Sequence, residues 1–251
     1  MNLTLFMKQL YLLLVLSLCF FTNCSSENGL GASSKGPSVL VFYKTAGFYH
    51  TSIPAGLAAI QKLGRENGFK VDTTKNAAVF VPDTLKKYKA VLFLSTTQDV
   101  LNDAQQGAFE QFIKAGGGFV GVHAATDTEY NWPWYNQLVG AYFESHPEIQ
   151  NATIQILDKN HASTSFLPAR WDRRDEWYNF KSINPQIKVL ATLDETTYKG
   201  GKNGANHPIA WYHTFDGGKV FYTACGHTDE SYQEPLFLRH LLGGIQYVLK
   251  D

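Results

Sequence analysis

Apolar residues fall along this chain in two rhythms that change near residue 123. Before that point, short continuous apolar runs alternate with stretches in which apolar residues recur at helical spacing. Val39-Leu40-Val41-Phe42-Tyr43 and Ala90-Val91-Leu92-Phe93-Leu94 read as strands buried on both faces, as does Phe119-Val120-Gly121-Val122. Phe69-Lys70-Val71-Asp72 is a weaker strand. A helix is expected from about Ile53, with Leu57, Ile60 and Leu63 on one face, ending at Asn67-Gly68. A second, capped by Asn102 or Asp103, carries Phe109, Phe112 and Ile113 and stops at Gly116. Buried runs alternating with amphipathic helices predict a parallel sheet covered on both sides.

Beyond His123 the helical rhythm weakens. Residues 152–157, 188–192, 208–212 and 219–222 read as strands, with Asp216-Gly217-Gly218 as a hairpin turn between the last two. Pro235 opens a closing helix carrying Leu238, Leu241, Leu242, Ile245 and Val248. The expected architecture is a single α/β domain with an open, mainly parallel sheet, helices on both faces, and an antiparallel extension. A less regular insertion is expected between about Trp132 and Ile187.

The start of the chain follows a different logic. Residues 10–21 are an apolar run behind Lys8, too short to span a bilayer comfortably, and they lead into Asn23-Cys24-Ser25-Ser26-Glu27. This pattern predicts a signal of lipoprotein type over residues 1–24, with Cys24 lipidated, a flexible tether over 25–37, and the domain over 38–251. A plain secretory signal is the alternative. In the first case the protein is an exported periplasmic or cell-surface lipoprotein of a bacterial envelope, touching the membrane only through its lipid. Cys225 is then the only thiol of the mature domain, which excludes an intrachain disulfide; after Val220-Phe221-Tyr222 it reads as a small buried hydrophobe. Acidic and basic residues balance at 22 each with no basic block, so nothing supports nucleic-acid binding. The many aromatic residues fit sugar stacking as well as core packing.

Candidate chemistry centres on Gly121-Val122-His123-Ala124-Ala125. The spacing is that of a nucleophile elbow, a sharp strand-to-helix turn, with an imidazole where a thiol or hydroxyl would stand. Such a histidine can move protons or bind a metal; the alternative is a structural histidine at a strand end. Open parallel sheets place their sites outside the carboxyl ends of the strands. There the pattern puts His50, the segment Thr96-Thr97-Gln98-Asp99, His123 with Asp127 and Glu129, and His227. The insertion adds His146, His161 and the run 172–178. Within that run Glu176 is a candidate acid or base, and Trp177 and Tyr178 are candidate sugar contacts. A solvated surface run anchored by Trp177 is the competing reading. His207 and His213 read as edge residues and His240 as structural. No His-Glu-x-x-His or paired-cysteine motif signals a metal, but His123, Asp127 and His227 could ligate a divalent ion.

At these residues the chain resembles the ThuA-like (trehalose-utilisation) family, a variant of the class I glutamine amidotransferase-like fold. The marks are Gly47-Phe48-Tyr49-His50, the stretch 116–123, His146-Pro147, Asp175-Glu176-Trp177-Tyr178 and Cys225-Gly226-His227. Family members often carry a histidine-proline pair where this chain has His161-Ala162. The resemblance argues against amidotransferase chemistry, because His123 stands at the place of the elbow cysteine. It implies work on a saccharide, as a glycoside brought to a keto form by a partner sugar oxidoreductase and then cleaved at a C–O bond by hydrolysis or elimination. The residues implied are His123, Glu176, His50, His227 and Asp127 for catalysis, with His146, Trp177 and Tyr178 on the substrate. A non-catalytic glycan-binding lipoprotein stays open as the second reading.

Overall fold

A computed structural model describes residues 36–250; the leader, Cys24 and most of the tether lie outside the described residues. The chain runs β1 (Ser38–Phe42), α1 (Ile53–Asn67), β2 (Lys70–Thr74), α2 (Pro82–Leu85), β3 (Ala90–Leu94), α3 (Asp103–Lys114) and β4 (Gly118–Val122). It continues with α4 (Pro133–Val139), β5 (Tyr142–Ser145), β6 (Gln150–Ile156), β7 (Arg170–Asp175), β8 (Asn179–Lys181), β9 (Lys188–Leu193), β10 (Pro208–Phe215), β11 (Gly218–Thr223) and α5 (Pro235–Leu249). Among the described residues, nine strands form one sheet in the order β2-β1-β3-β4-β11-β10-β9-β6-β7, and β5 pairs with β8 separately.

The strands from β2 to β11 in that order are parallel, and those from β11 to β7 antiparallel. β3 and β4 are buried throughout, as expected for central strands covered on both faces. Phe93 and Phe119 pack against Phe109 of α3 and Tyr135 of α4. On the opposite face, α1 lies against Leu94 at Gly56, and α5 against Phe221 at Gly244. Helix α3 starts from Asn102 through a reciprocal capping box with Gln105, which satisfies two otherwise unpaired N–H groups. β10 and β11 are joined through Asp216 and Gly217, both at positive φ, the backbone of a tight hairpin turn.

One expectation is corrected and one competing reading is set aside. The segment between Trp132 and Ile187 contains a helix and four strands. The run 172–178 is no solvated surface run, because most of it lies in or beside β7, whose residues alternate between exposed and buried. The buried set is Trp171, Arg173 and Asp175, so a charged pair occupies positions that strands usually give to apolar residues. β7 is also four strands from β11 in the sheet order, about 19 Å along a flat sheet at the usual spacing. Yet Asp175 accepts hydrogen bonds from Gly226 N at 2.9 Å and His227 N at 3.1 Å, and Trp171 Nε1 donates to Glu234. The antiparallel half therefore curls back over the loop that follows β11, bringing its far edge to the carboxyl ends of the parallel strands.

Candidate active site

His123 directly follows β4 with φ +50°, a left-handed conformation that costs a non-glycine residue roughly 1–2 kcal/mol. Local contacts hold it there. Gly121 lets the strand approach Tyr222, where a Cβ would stand 2.9 Å from the ring, and the Tyr222 hydroxyl donates to His123 O at 2.7 Å. His123 Nδ1 lies 2.8 Å from Ala224 O. A carbonyl only accepts, so Nδ1 carries the hydrogen and the neutral ring turns the Nε2 lone pair inward.

Three other side chains meet that lone pair. His227 Nδ1 is 3.0 Å away and Glu176 Oε2 is 3.4 Å away, while His227 Nδ1 and Glu176 Oε2 are 3.0 Å apart. His50 stands edge-on to both other imidazoles, with ring centroids at 4.8 and 5.1 Å, and its buried Nδ1 has no protein partner. One donor atom from each of His50, His123, Glu176 and His227 lies within 4.8 Å of the others. Burial, reinforced by His123 and His227, pushes the His50 imidazole down to about 2, so it is neutral at physiological pH. Burial alone would raise the Glu176 carboxyl, but its close contacts with His123 and His227 outweigh it and hold it well below the usual carboxylate range.

Three members of the cluster, His50, Glu176 and His227, line a cleft of about 310 Å³ together with Phe48, Asp127, Phe143, His146 and Tyr178. His146 is the accessible imidazole, with 44% of its side chain exposed. Its Nδ1 lies 3.0 Å from Glu176 Oε1 and 2.9 Å from Pro147 O, both acceptors, so Nδ1 carries hydrogen and Nε2 is left to take up a proton.

Some expected residues lie elsewhere. Asp127 lines the cleft but is not in the donor cluster; its Oδ1 accepts from Tyr130 at 2.6 Å and Gln98 at 3.1 Å. Burial, against the hydrogen bond from Tyr130, raises its carboxyl. Trp177 does not face the cleft. It is fully buried, and its indole donates to Gln150 O. Glu129 is occupied with backbone, accepting from Val100 N and Leu101 N ahead of α3. His161 packs among Tyr212, Phe221 and Tyr247, and His240 bonds to Ser163 O. β10 lies inside the sheet, so His207 and His213 are not edge residues; both are buried and bonded to backbone carbonyls. The Cys225 thiol is buried and pushed up to about 12 by that burial, which leaves it inert.

Sequence reasoning passed over Asp175 as a working residue. Its fully buried carboxylate accepts from the N–H groups of Glu176, Gly226 and His227 and from Ser231 Oγ, and pairs with Arg173 at 3.1 Å. One side chain thus fixes the backbone carrying both Glu176 and His227. Gly226 adopts φ +115° there, and a Cβ would meet the Tyr232 hydroxyl at 2.8 Å. The sequence signal was an acid directly before Glu176 in a motif already noted.

The family model described as "ThuA: Trehalose utilisation" matches residues 38–248. The chain belongs to the ThuA family. That membership associates it with carbohydrate metabolism. Among solved structures, it is similar to a putative ThuA-like protein of Bacteroides uniformis ATCC 8492, with TM-score 0.73 and 24% identity, covering 87% of this chain and 94% of that one. A putative ThuA-like protein of Parabacteroides merdae ATCC 43184 gives TM-score 0.72 at 20% identity, covering 86% and 91%. A cytoplasmic protein of Salmonella typhimurium LT2 gives 0.63 at 13%, covering 85% and 100%. At these identities the likeness establishes the fold alone. A search of curated proteins gives no match.

Proposed function

We propose that this ThuA-family chain is a carbohydrate-active enzyme that breaks a C–O bond of an oligosaccharide or keto-glycoside, with a divalent cation held by His50, His123, Glu176 and His227. The supporting observation is the spacing of the donors. A tetrahedral ion bound at about 2.0–2.1 Å by nitrogen and oxygen has donor–donor edges of about 3.3 Å, and three edges here measure 3.0, 3.0 and 3.4 Å. Three imidazoles and a carboxylate form a donor set suited to zinc and its first-row neighbours. The His123–Ala224 hydrogen bond is of the kind that orients a ligating imidazole. A bound cation would supply Lewis-acid polarisation of a substrate oxygen.

The remaining chemistry falls to side chains. In a keto-glycoside, the carbon between the ketone and the anomeric centre is acidic. A base removes its proton, the electron pair becomes a C=C bond, and the C–O bond to the leaving sugar breaks; the departing oxygen then takes a proton. His146, accessible and held by Glu176, is the base that fits, since His123 is fully buried and suits ligation better than proton transfer. A partner sugar oxidoreductase would supply the ketone. The sequence before the domain extends the proposal to a lipid-anchored envelope protein, for which Cys24→Ser should move the protein from membrane to soluble exported fraction.

The decisive experiment incubates metal-analysed protein with native, 3-keto and unsaturated uronic oligosaccharides and follows products by NMR, with and without chelator. Product from one of them, lost with chelator and restored by metal, is expected. Sugar binding without turnover under any metal would favour the non-catalytic glycan-binding reading.

A further inference from the structure

Phe48 sits in the wrong place for an ordinary core residue. It lines the cleft yet is 65% exposed, the most exposed of the large apolar side chains among the described residues. Its neighbours hold it in that position. Gly47 N donates to Thr97 Oγ1 at 3.2 Å, and Thr97 Oγ1 donates to Phe48 O at 3.0 Å. The ring stands at 83° to His50, with centroids 4.9 Å apart. Gly47 cannot carry a side chain without crowding Gln98, whose Cγ would be 2.6 Å from its Cβ, so the loop's close approach to the 97–98 segment is built in. Across the same cleft Phe143 and Tyr178 pack on each other at 4.3 Å. An aromatic ring fixed from behind and open in front is a platform for the apolar C–H face of a sugar ring.

Charge narrows the choice of sugar. The lining supplies two carboxylates, Asp127 and Glu176, and no lysine or arginine. Lys181, which acts electrostatically on Asp127, lies over the Tyr130 ring at 5.0 Å rather than in the lining. A divalent cation in the cluster would be balanced by those two carboxylates, so the site would be close to neutral when loaded. A substrate carboxylate, sulfate or phosphate would find no lysine or arginine in the lining to pair with and Asp127 to repel it. At about 310 Å³ the cleft is at the small end of ligand sites, which run to about 1,000 Å³, a size that suits one sugar ring.

We infer that the Phe48 ring is a stacking subsite for a single uncharged pyranose unit, with Asp127 accepting from its hydroxyls, so that the substrate is a small neutral glycoside and not a uronate or phosphorylated sugar. This inference rests on the proposed carbohydrate chemistry of the same cleft, but it concerns recognition and is measured by binding. Ligand-observed NMR and calorimetry would use trehalose, maltose and cellobiose, each in native and 3-keto form, against a glucuronate-containing disaccharide and trehalose 6-phosphate. Wild type, Phe48→Ala, Phe48→Trp and Asp127→Asn would be compared, with circular dichroism checking the fold.

The expected result is a neutral disaccharide bound at least about tenfold more tightly than its charged counterparts. Phe48→Ala should weaken the neutral sugar at least about tenfold, Phe48→Trp should retain it, and Asp127→Asn should narrow the gap to the uronate. Unchanged binding in folded Phe48→Ala, or a wild-type preference for the charged sugars, overturns the subsite while leaving turnover to be judged on its own. Binding that depends on Phe48 without turnover of any sugar keeps the subsite and defeats the enzymatic reading. No sugar binding at all defeats both.

Discussion

The two halves of the large sheet contribute to the cleft in different ways. In the parallel half, β1, β4 and β11 end side by side or nearly so, and the residues after them supply His50, His123 and His227. Regular geometry alone brings these imidazoles together, because the carboxyl ends of parallel strands share one rim. The segment from α4 to β7 supplies Glu176 and His146 by curling over that rim, and a buried carboxylate, Asp175, secures the contact. The imidazole donors thus come from the half built by repetition. The Glu176 charge comes from the half built by a particular fit.

Substitutions on each side of this seam should behave differently, and the largest effect is expected at the seam itself. Asp175→Ala leaves Arg173 buried without its closest carboxylate partner and several N–H groups without acceptors; losing one member of a buried charge pair costs about 3–5 kcal/mol. The urea midpoint should fall accordingly, and activity should be lost even where folded protein survives. An unchanged midpoint would mean the halves are joined by packing alone. Next in size, His123→Ala on the parallel side should cut turnover about a hundredfold or more while the midpoint barely moves, with loss of bound metal marking a ligand. Full activity in that variant would make His123 structural.

A third, smaller effect is a dependence on pH. Burial lowers the His240 imidazole to about 4 from its usual 6.5. For a depressed histidine the unfolded chain binds the proton first, so stability is complete above about pH 6.5 and falls as pH drops toward 4. At pH 5 the loss should be roughly 2 kcal/mol for this one group, and His240→Gln should remove that part of the slope in midpoints measured at pH 7.5 and 5. A slope unaltered in the variant would assign the acid sensitivity to other groups. The smallest effect is expected from Tyr130→Phe. It removes hydrogen bonds to Asp127 and Phe143 O and should cost about 1 kcal/mol without touching metal content. A larger loss would show that Tyr130 pins the segment after His123 to β5 by more than these two hydrogen bonds.

The difference between the halves also decided what could be read in advance. α1 ends at Asn67 as its apolar spacing and following glycine predict, and β3 spans the apolar run Ala90–Leu94. In this half burial is apolar, and the pattern of apolar residues reports it. β7 is as regular, but its inward positions are Trp171, Arg173 and Asp175 and its outward ones Arg170, Asp172 and Arg174. Its period-two signal is present in burial and absent in hydrophobicity, which is why a surface reading of the run 172–178 stayed open. The same blindness hid Asp175, whose role depends on a contact 51 residues away in sequence. Trp177 misled in the opposite direction: an aromatic beside Glu176 suggested a sugar contact, but alternation along the chain turns it into the core and leaves Tyr178 toward the cleft.

The curl that carries Asp175 to the loop after β11 also bears on how the chain reaches its working state. His123 and His227 are separated by 104 residues, and Asp175 meets Gly226 across 51. Contacts so distant in sequence are entropically costly to form early, and proteins dominated by them fold slowly. The elbow depends on such contacts as well, since His123 is held by Tyr222 and Ala224, 99 and 101 residues further on. The donor cluster is complete only when the last loop and the curled edge have both docked. A nascent chain that ends before Tyr222 lacks both the contacts that hold His123 and the loop that carries His227, so the complete donor cluster is delayed until almost the whole domain has been synthesised.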